Sequence, residues 1–118
     1  MILMISSEGD HLESQPCHRF GRAPYFIQFD LSEKTWKAHS NEAVHERGGA
    51  GVASTQFLVD HKADVVVSGR FGPNAYRALS SAGVQLFAFD ARYETVQQVI
   101  EAYKNQELIE VGNEGLFQ

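Results

Sequence analysis

The length and composition of the chain are those of one small globular domain. It has 118 residues, 43% of them hydrophobic, which is enough for a single core. Its formal net charge of −5, from 15 acidic and 10 basic residues, repels nucleic-acid phosphates unless cations are gathered in one place. A single cysteine, Cys17, excludes an internal disulfide and favours a reducing, cytoplasmic location. We therefore expect a one-domain protein without a nucleic-acid partner.

The first half of the chain predicts three strands. The apolar run 2–5 predicts the first strand, because it is too short for a membrane span and lacks the flanks of a signal peptide. Residues 24–30 are rich in aromatic side chains and predict the second strand, and residues 35–39 predict the third after a turn at 32–34. The polar stretch 6–22 has no clear period and predicts a long loop, and a loop of that length is usually functional or disordered.

The second half of the chain alternates between helices and strands. Helical spacing of apolar residues predicts helices over about 51–61, over 73–82 with a proline in the first turn, and over 96–105 with an asparagine as C-cap. Short apolar runs at 64–68 and 84–89 predict buried strands between these helices. Strands alternating with helices imply parallel pairing through right-handed crossovers, so the sequence predicts an α/β fold around one mixed sheet.

Adjacent Cys17 and His18 are the first candidates for metal ligands. A thiolate and an imidazole are usual ligands of zinc, copper and iron-sulfur species. A closed site needs about four ligands, so His11, His45 or groups of a partner would have to converge on this pair. The alternative, that both are incidental loop residues, stays open. A catalytic dyad is disfavoured, because adjacent residues of an extended segment point to opposite sides.

Two glycine-bearing turns precede predicted helices. They are Glu-Arg-Gly-Gly-Ala-Gly at 46–51 and Ser-Gly-Arg-Phe-Gly-Pro-Asn at 68–74. Backbone N–H groups and the positive end of a helix dipole can hold an anion in such turns. The first turn lacks the lysine and Ser/Thr of a Walker loop, and no dinucleotide-binding glycine pattern follows a predicted strand, so ATP and dinucleotides are poorly supported. The alternative is that these glycines serve only the fold.

The carboxylates predict no acid–base pair. Asp30, Asp60, Asp64 and Asp90 each follow or precede a predicted element, where aspartates commonly serve as turn or cap residues. We therefore expect a binding protein rather than an enzyme.

Three segments taken together resemble one family. In order they are 19–26 (RFGRAPYF), 48–53 (GGAGVA) and 69–75 (GRFGPNA), and they resemble the NifX-like family of dinitrogenase iron-molybdenum cofactor biosynthesis proteins. The resemblance runs over 1–105, which predicts one domain there and a C-terminal tail at 106–118. It implies a ribonuclease H-like, three-layer α/β/α fold with a mixed five-stranded sheet.

The resemblance also implies a function. The expected role is non-enzymatic binding or carrying of an iron-sulfur or iron-molybdenum type cofactor or its precursor, with cluster donor or acceptor proteins as partners and no membrane. One rival is a small-molecule anion-binding or regulatory module without metal. Another is a metal-dependent hydrolase, which only the fold name suggests. A homo-oligomer could complete the ligand set across a two-fold axis, and the sequence leaves this open.

The predicted site residues fall into two groups. The candidate metal ligands are Cys17, His18 and His45. The candidate cofactor-binding residues are Arg22, Arg47, Gly48, Gly49, Gly51, Arg70, Gly72 and Asn74.

Overall fold

A mixed sheet runs through the protein, whose computed structural model describes residues 1–42 and 50–112. In the described residues the sheet has six strands: β1 (Ile2–Ser7), β2 (Tyr25–Asp30), β3 (Thr35–Ser40), β4 (Val65–Ser68), β5 (Gln85–Ala88) and β6 (Ile109–Glu110). Their order is β3-β2-β1-β4-β5-β6. Strands β1, β4 and β5 are parallel, and the β1–β2, β2–β3 and β5–β6 pairs are antiparallel.

In the part of the chain that the structure describes, three α-helices cover the two faces of this sheet. They are α1 (Ala50–Asp60), α2 (Pro73–Ser81) and α3 (Val96–Lys104). Leu58 of α1 and Leu79 of α2 belong to the buried cluster that contains Met4, whereas Ile100 of α3 belongs to the cluster that contains Leu3. Successive residues of a strand point to opposite faces, so α1 and α2 lie on one side of β1 and α3 on the other. The predicted three layers are therefore present. Within residues 1–42 and 50–112, no helix is long and apolar enough to span a membrane.

The predicted helices and strands are all present, with ends that differ by up to two residues. Strand β1 continues to Ser7 because its two serines are buried and hydrogen-bonded, a feature that an apolar pattern does not reveal. Asn105 caps α3 as expected. Gly83 follows α2 with a φ of +82°, a backbone conformation in which glycine avoids the steric cost of a Cβ.

The prediction of five strands was wrong, because β6 adds a sixth. Ala88 pairs with Ile109, and the N–H of Val111 donates to the carbonyl of Leu86 at 2.8 Å. Strand β6 lies in the segment expected to be a tail. It has only two residues, and Ile109 is 77% exposed. A strand this short and exposed has no apolar pattern that would predict it from the sequence.

The long loop after β1 is ordered. The N–H groups of Val96 and Gln97, which open α3, donate to the carbonyls of Ser14 at 2.9 Å and Leu12 at 2.8 Å. These groups have no partner inside their own helix, so the loop supplies acceptors that the helix lacks. The loop ends in one turn of 3₁₀ helix, Phe20–Arg22, which contacts α1.

Candidate anion-binding site

The loops that follow β1 and β4 meet at the carboxyl ends of these two neighbouring parallel strands. The chain passes from β1 to β2 on one side and from β4 to β5 on the other, so the strand order changes direction between β1 and β4. Open α/β sheets bind ligands at such a switch point. A backbone hydrogen bond joins the two loops there, from the N–H of Phe20 to the carbonyl of Arg70 at 3.0 Å.

Below the meeting point of the two loops lies a tightly packed group of residues, which we call the floor. It consists of Ser6, Ser68, Gly69 and the backbone of Cys17 and His18. A Cβ placed on Gly69 would lie 2.7 Å from the carbonyl oxygen of His18 and 2.8 Å from its Cα, so only glycine allows this approach. Below it, the hydroxyl of Ser6 lies 2.7 Å from both the carbonyl oxygen of Cys17 and the hydroxyl of Ser68. Ser6 and Ser68 are fully buried, so this network ties the Cys17 segment to the two central strands.

The loops enclose an open cavity of about 410 Å³, which we call the arginine crevice. Its lining is Arg19, Phe20, Gly21, Arg22, Arg70, Phe71, Gly72 and Pro73. The three arginines are exposed, and none of them forms an ion pair with a residue of the described ranges. Phe20 and Phe71 are buried beneath them with ring centroids 5.3 Å apart. The crevice is thus a cationic rim over an apolar wall.

The start of α2 also borders the crevice. Gly72 is the N-cap of this helix, and no side chain caps it. A Cβ on Gly72 would meet nothing within 4 Å, so here the glycine leaves open space rather than permitting a close contact. The side chain of Asn74 accepts a hydrogen bond from Arg77 at 3.0 Å. Helix N–H groups and the positive dipole end add to the attraction for an anion.

Cys17 lies under the crevice and not in its lining. It is buried, and its thiol donates to the carbonyl of Arg19 with Sγ at 3.4 Å from the oxygen. Burial raises the pKa of this thiol to about 11, so it is neutral near pH 7. His18 is exposed, and its ring packs edge-on against Phe89 with centroids 5.1 Å apart.

The structure brings together some of the predicted residues. Arg22, Arg70 and Gly72 line one crevice, and Asn74 lies in the first turn of the adjoining helix. In residues 1–42 and 53–112 no three His, Cys, Asp or Glu side chains are placed to hold a metal ion, and His11 packs against Trp36 with centroids 5.4 Å apart. His45, Arg47, Gly48 and Gly49 lie outside the described residues, and Gly51 lies in the first turn of α1.

Five lining residues were missing from the predicted set: Arg19, Phe20, Gly21, Phe71 and Pro73. Arg19 and Phe71 border the crevice beside Arg22 and Arg70. Arg19 lies in segment 19–26 and Phe71 in segment 69–75, so the three-segment resemblance was the sequence feature that could have indicated them.

Comparison with known proteins identifies the family. A family model described as "dinitrogenase iron-molybdenum cofactor" matches residues 1–106. The apo form of the orange protein from Desulfovibrio gigas is 27% identical, with a TM-score of 0.88 over 94% of this chain and 92% of that chain. A putative NifB protein from Thermotoga, described as a DUF35 family member, is 30% identical, with a TM-score of 0.85 over 99% of this chain and 96% of that chain. No curated protein matches the chain with significant similarity. The chain therefore belongs to the dinitrogenase iron-molybdenum cofactor family, as the NifX-like resemblance predicted.

Proposed function

We propose that the protein binds and carries an anionic metal–sulfur cofactor or its precursor, of iron-sulfur or iron-molybdenum type, in the arginine crevice. The cofactor is cargo, and the protein performs no reaction on it. The observation that carries the proposal is the concentration of three exposed arginines around one cavity in a chain of net charge −5. The family description and its iron-molybdenum cofactor support the class of cargo.

The chemistry of the rim suits such a cargo. A guanidinium presents several N–H donors in one plane, which matches the carboxylates of an organic acid and the acceptor atoms of an anionic cluster. The buried rings of Phe20 and Phe71 limit solvent access from below, and weaker screening strengthens the attraction between the arginines and the anion. The crevice therefore favours retention by charge and hydrogen bonding.

The thiol chemistry favours a cargo that brings its own inorganic ligands. The chain has one cysteine, and in the described structure it is buried, protonated and hydrogen-bonded to Arg19. A cluster attached through protein sulfur needs several accessible thiolates. The proposal accordingly does not depend on the predicted ligands Cys17, His18 and His45, whose roles stay predictions.

The alternative function uses the same crevice without metal. A small organic or inorganic anion would meet the same arginines, and the uncapped start of α2 next to Gly72 favours such a ligand as well. The two proposals therefore differ in cargo and agree on the site.

The three layers and the central strand order support the ribonuclease H-like description of the fold. A carrier also needs cluster donor and acceptor proteins. We place these events in the cytoplasm, where a protein with one free thiol is stable.

The proposal is tested by anaerobic loading. The apo protein is reconstituted with iron and sulfide, and in a second arm titrated with tetrathiomolybdate as a preassembled anionic metal–sulfur probe. Binding is followed by visible absorption and metal analysis. We expect Arg22→Ala and Arg70→Ala each to weaken binding about tenfold, and added salt to weaken it further. Lys104→Ala removes one positive charge that lies over the ring of Phe29, and Phe29 pairs with Leu3 at the start of β1, the end of the strand away from the crevice; this variant is the matched control.

Each outcome separates the candidates. Visible absorption and bound metal that are present in the wild type and reduced in Arg22→Ala and Arg70→Ala support the carrier. Inorganic phosphate binding that depends on the same arginines, in a protein that stays colourless and metal-free, supports the anion module. Cluster binding of equal strength in wild type, Arg22→Ala and Arg70→Ala contradicts the proposed site.

A further inference from the structure

Two histidines meet on the α1 side of the sheet, and neither of them lines the arginine crevice. His39 lies on the edge strand β3, and His61 directly follows α1, which ends at Asp60. Their ring centroids are 4.7 Å apart, with 60° between the ring planes. Phe57 packs against both rings, at 4.2 Å from His61 and 5.3 Å from His39. The fold thus joins two histidines that are 22 positions apart in sequence.

Each ring has one nitrogen already bound to an oxygen. Nε2 of His39 lies 2.8 Å from Oε1 of Gln28, and Nδ1 of His61 lies 2.9 Å from the carbonyl oxygen of Phe57. An oxygen of this kind only accepts, so these nitrogens carry the protons. The lone pairs of the neutral rings are therefore on Nδ1 of His39 and Nε2 of His61. Neither atom has a hydrogen-bond partner within the described residues.

This arrangement is that of metal-ligating histidines. Such a histidine usually donates its other ring N–H to a carbonyl or carboxylate oxygen, which fixes the tautomer and the ring orientation. The distance of 4.7 Å between the ring centroids is compatible with two imidazole nitrogens that bind one ion at about 2.0–2.1 Å each. His61 is exposed and His39 half-buried, so an ion and its remaining water ligands have access from solvent.

We propose that His39 and His61 form a second site, which chelates one divalent transition-metal ion through Nδ1 of His39 and Nε2 of His61. Two imidazoles with open remaining positions suit Cu²⁺ best, followed by Ni²⁺ and Zn²⁺. The site is independent of the arginine crevice, so it neither requires nor supports the proposed cargo.

The test uses Cu²⁺ held by iminodiacetate, a chelate that leaves adjacent coordination positions free for a pair of histidines. The apo protein is titrated with this complex, and binding is measured by calorimetry. Electron paramagnetic resonance counts the coordinated imidazole nitrogens. We expect one equivalent bound through two imidazoles. We also expect a loss of about tenfold or more in affinity for His39→Gln and for His61→Gln, and at least as large a loss for the double variant.

Matched controls are available within the chain. His11 is changed to Gln, and this variant should bind the complex as the wild type does. Arg22→Ala should also leave copper binding unchanged, which separates this site from the crevice.

A measurement on the wild type covers the case in which a variant fails to fold. Bound Cu²⁺ should broaden the backbone NMR signals of Gln28 and Phe57 and spare those of Arg70 and Gly72. Binding that survives in both His39→Gln and His61→Gln, or broadening centred elsewhere, overturns the proposal.

Discussion

The rim and the floor of the arginine crevice are adjacent in sequence and differ in how their polar groups are satisfied. On the rim, Arg19, Arg22 and Arg70 are exposed and have no ion-pair partner among the described residues. On the floor, Ser6 and Ser68 are buried and hydrogen-bonded to each other and to the Cys17 carbonyl. Buried polar groups without hydrogen-bond partners cost free energy, so the hydrogen bonds of the floor must already be formed in the protein without ligand. The difference indicates that floor residues maintain the fold and that rim residues are available to a ligand.

The largest expected effect on the floor is that of Gly69→Ala. The added Cβ meets the backbone of His18 at 2.7 Å, and backbone cannot move aside as a flexible side chain does. We expect a loss of about 1–3 kcal/mol in the free energy of unfolding, measured by urea denaturation.

Gly72→Ala is the matched control on the rim. Its Cβ meets nothing within 4 Å and its φ of −74° suits any residue, so stability should stay within about 0.5 kcal/mol of the wild type. Equal losses for the two variants would contradict the division between rim and floor.

A smaller effect is expected for Ser6→Ala. The change removes the hydroxyl that bonds the Cys17 carbonyl and Ser68, each at 2.7 Å. Ser68 keeps a weaker contact of 3.4 Å with that carbonyl, so we expect a loss of about 1 kcal/mol in urea denaturation. Ser80→Ala on the exposed side of α2 is the control and should leave the midpoint unchanged. Equal urea midpoints for Ser6→Ala and Ser80→Ala would show that the floor does not stabilise the fold.

The accessibility of the Cys17 thiol can be tested on the wild-type protein. Burial raises the pKa of its thiol from 9.0 to about 11, which lowers the thiolate fraction at pH 8 about 100-fold. Alkylation by iodoacetamide, followed by mass spectrometry, should therefore be slow in the folded protein and fast in urea. Rapid alkylation of the folded protein would show that Cys17 belongs to the accessible rim.

The same pKa shift has a consequence for stability. Because the pKa of the Cys17 thiol is higher in the folded than in the unfolded chain, its contribution is complete below pH 9 and is lost as the pH rises towards about 11. Unfolding of the wild type at pH 8 and pH 10.5 measures this contribution to the free energy of unfolding, and Cys17→Ser, which has no thiol to titrate, is the control.

The sequence singled out some of the residues that line the arginine crevice. Arg22, Arg70 and Gly72 were found because glycine turns beside arginines have a local signature, and the structure places them in one crevice. Arg19 and Phe71 were missed, since their position in the lining depends on how two loops 51 positions apart come together. The contact between His39 and His61 had no signal, because neither spacing nor pattern relates an edge strand to the end of a helix.

The sequence by itself determined the α/β class, the helices, the five longer strands and the family. These depend on local periodicity, on turn residues and on three short segments, all of which are properties of neighbours along the chain. Tertiary structure alone decided the sixth strand, the burial of Cys17 and the close approach of Gly69 to His18. Each of these depends on which distant segments come into contact. Burial and hydrogen bonding across the sheet set those contacts, and a linear pattern does not contain them.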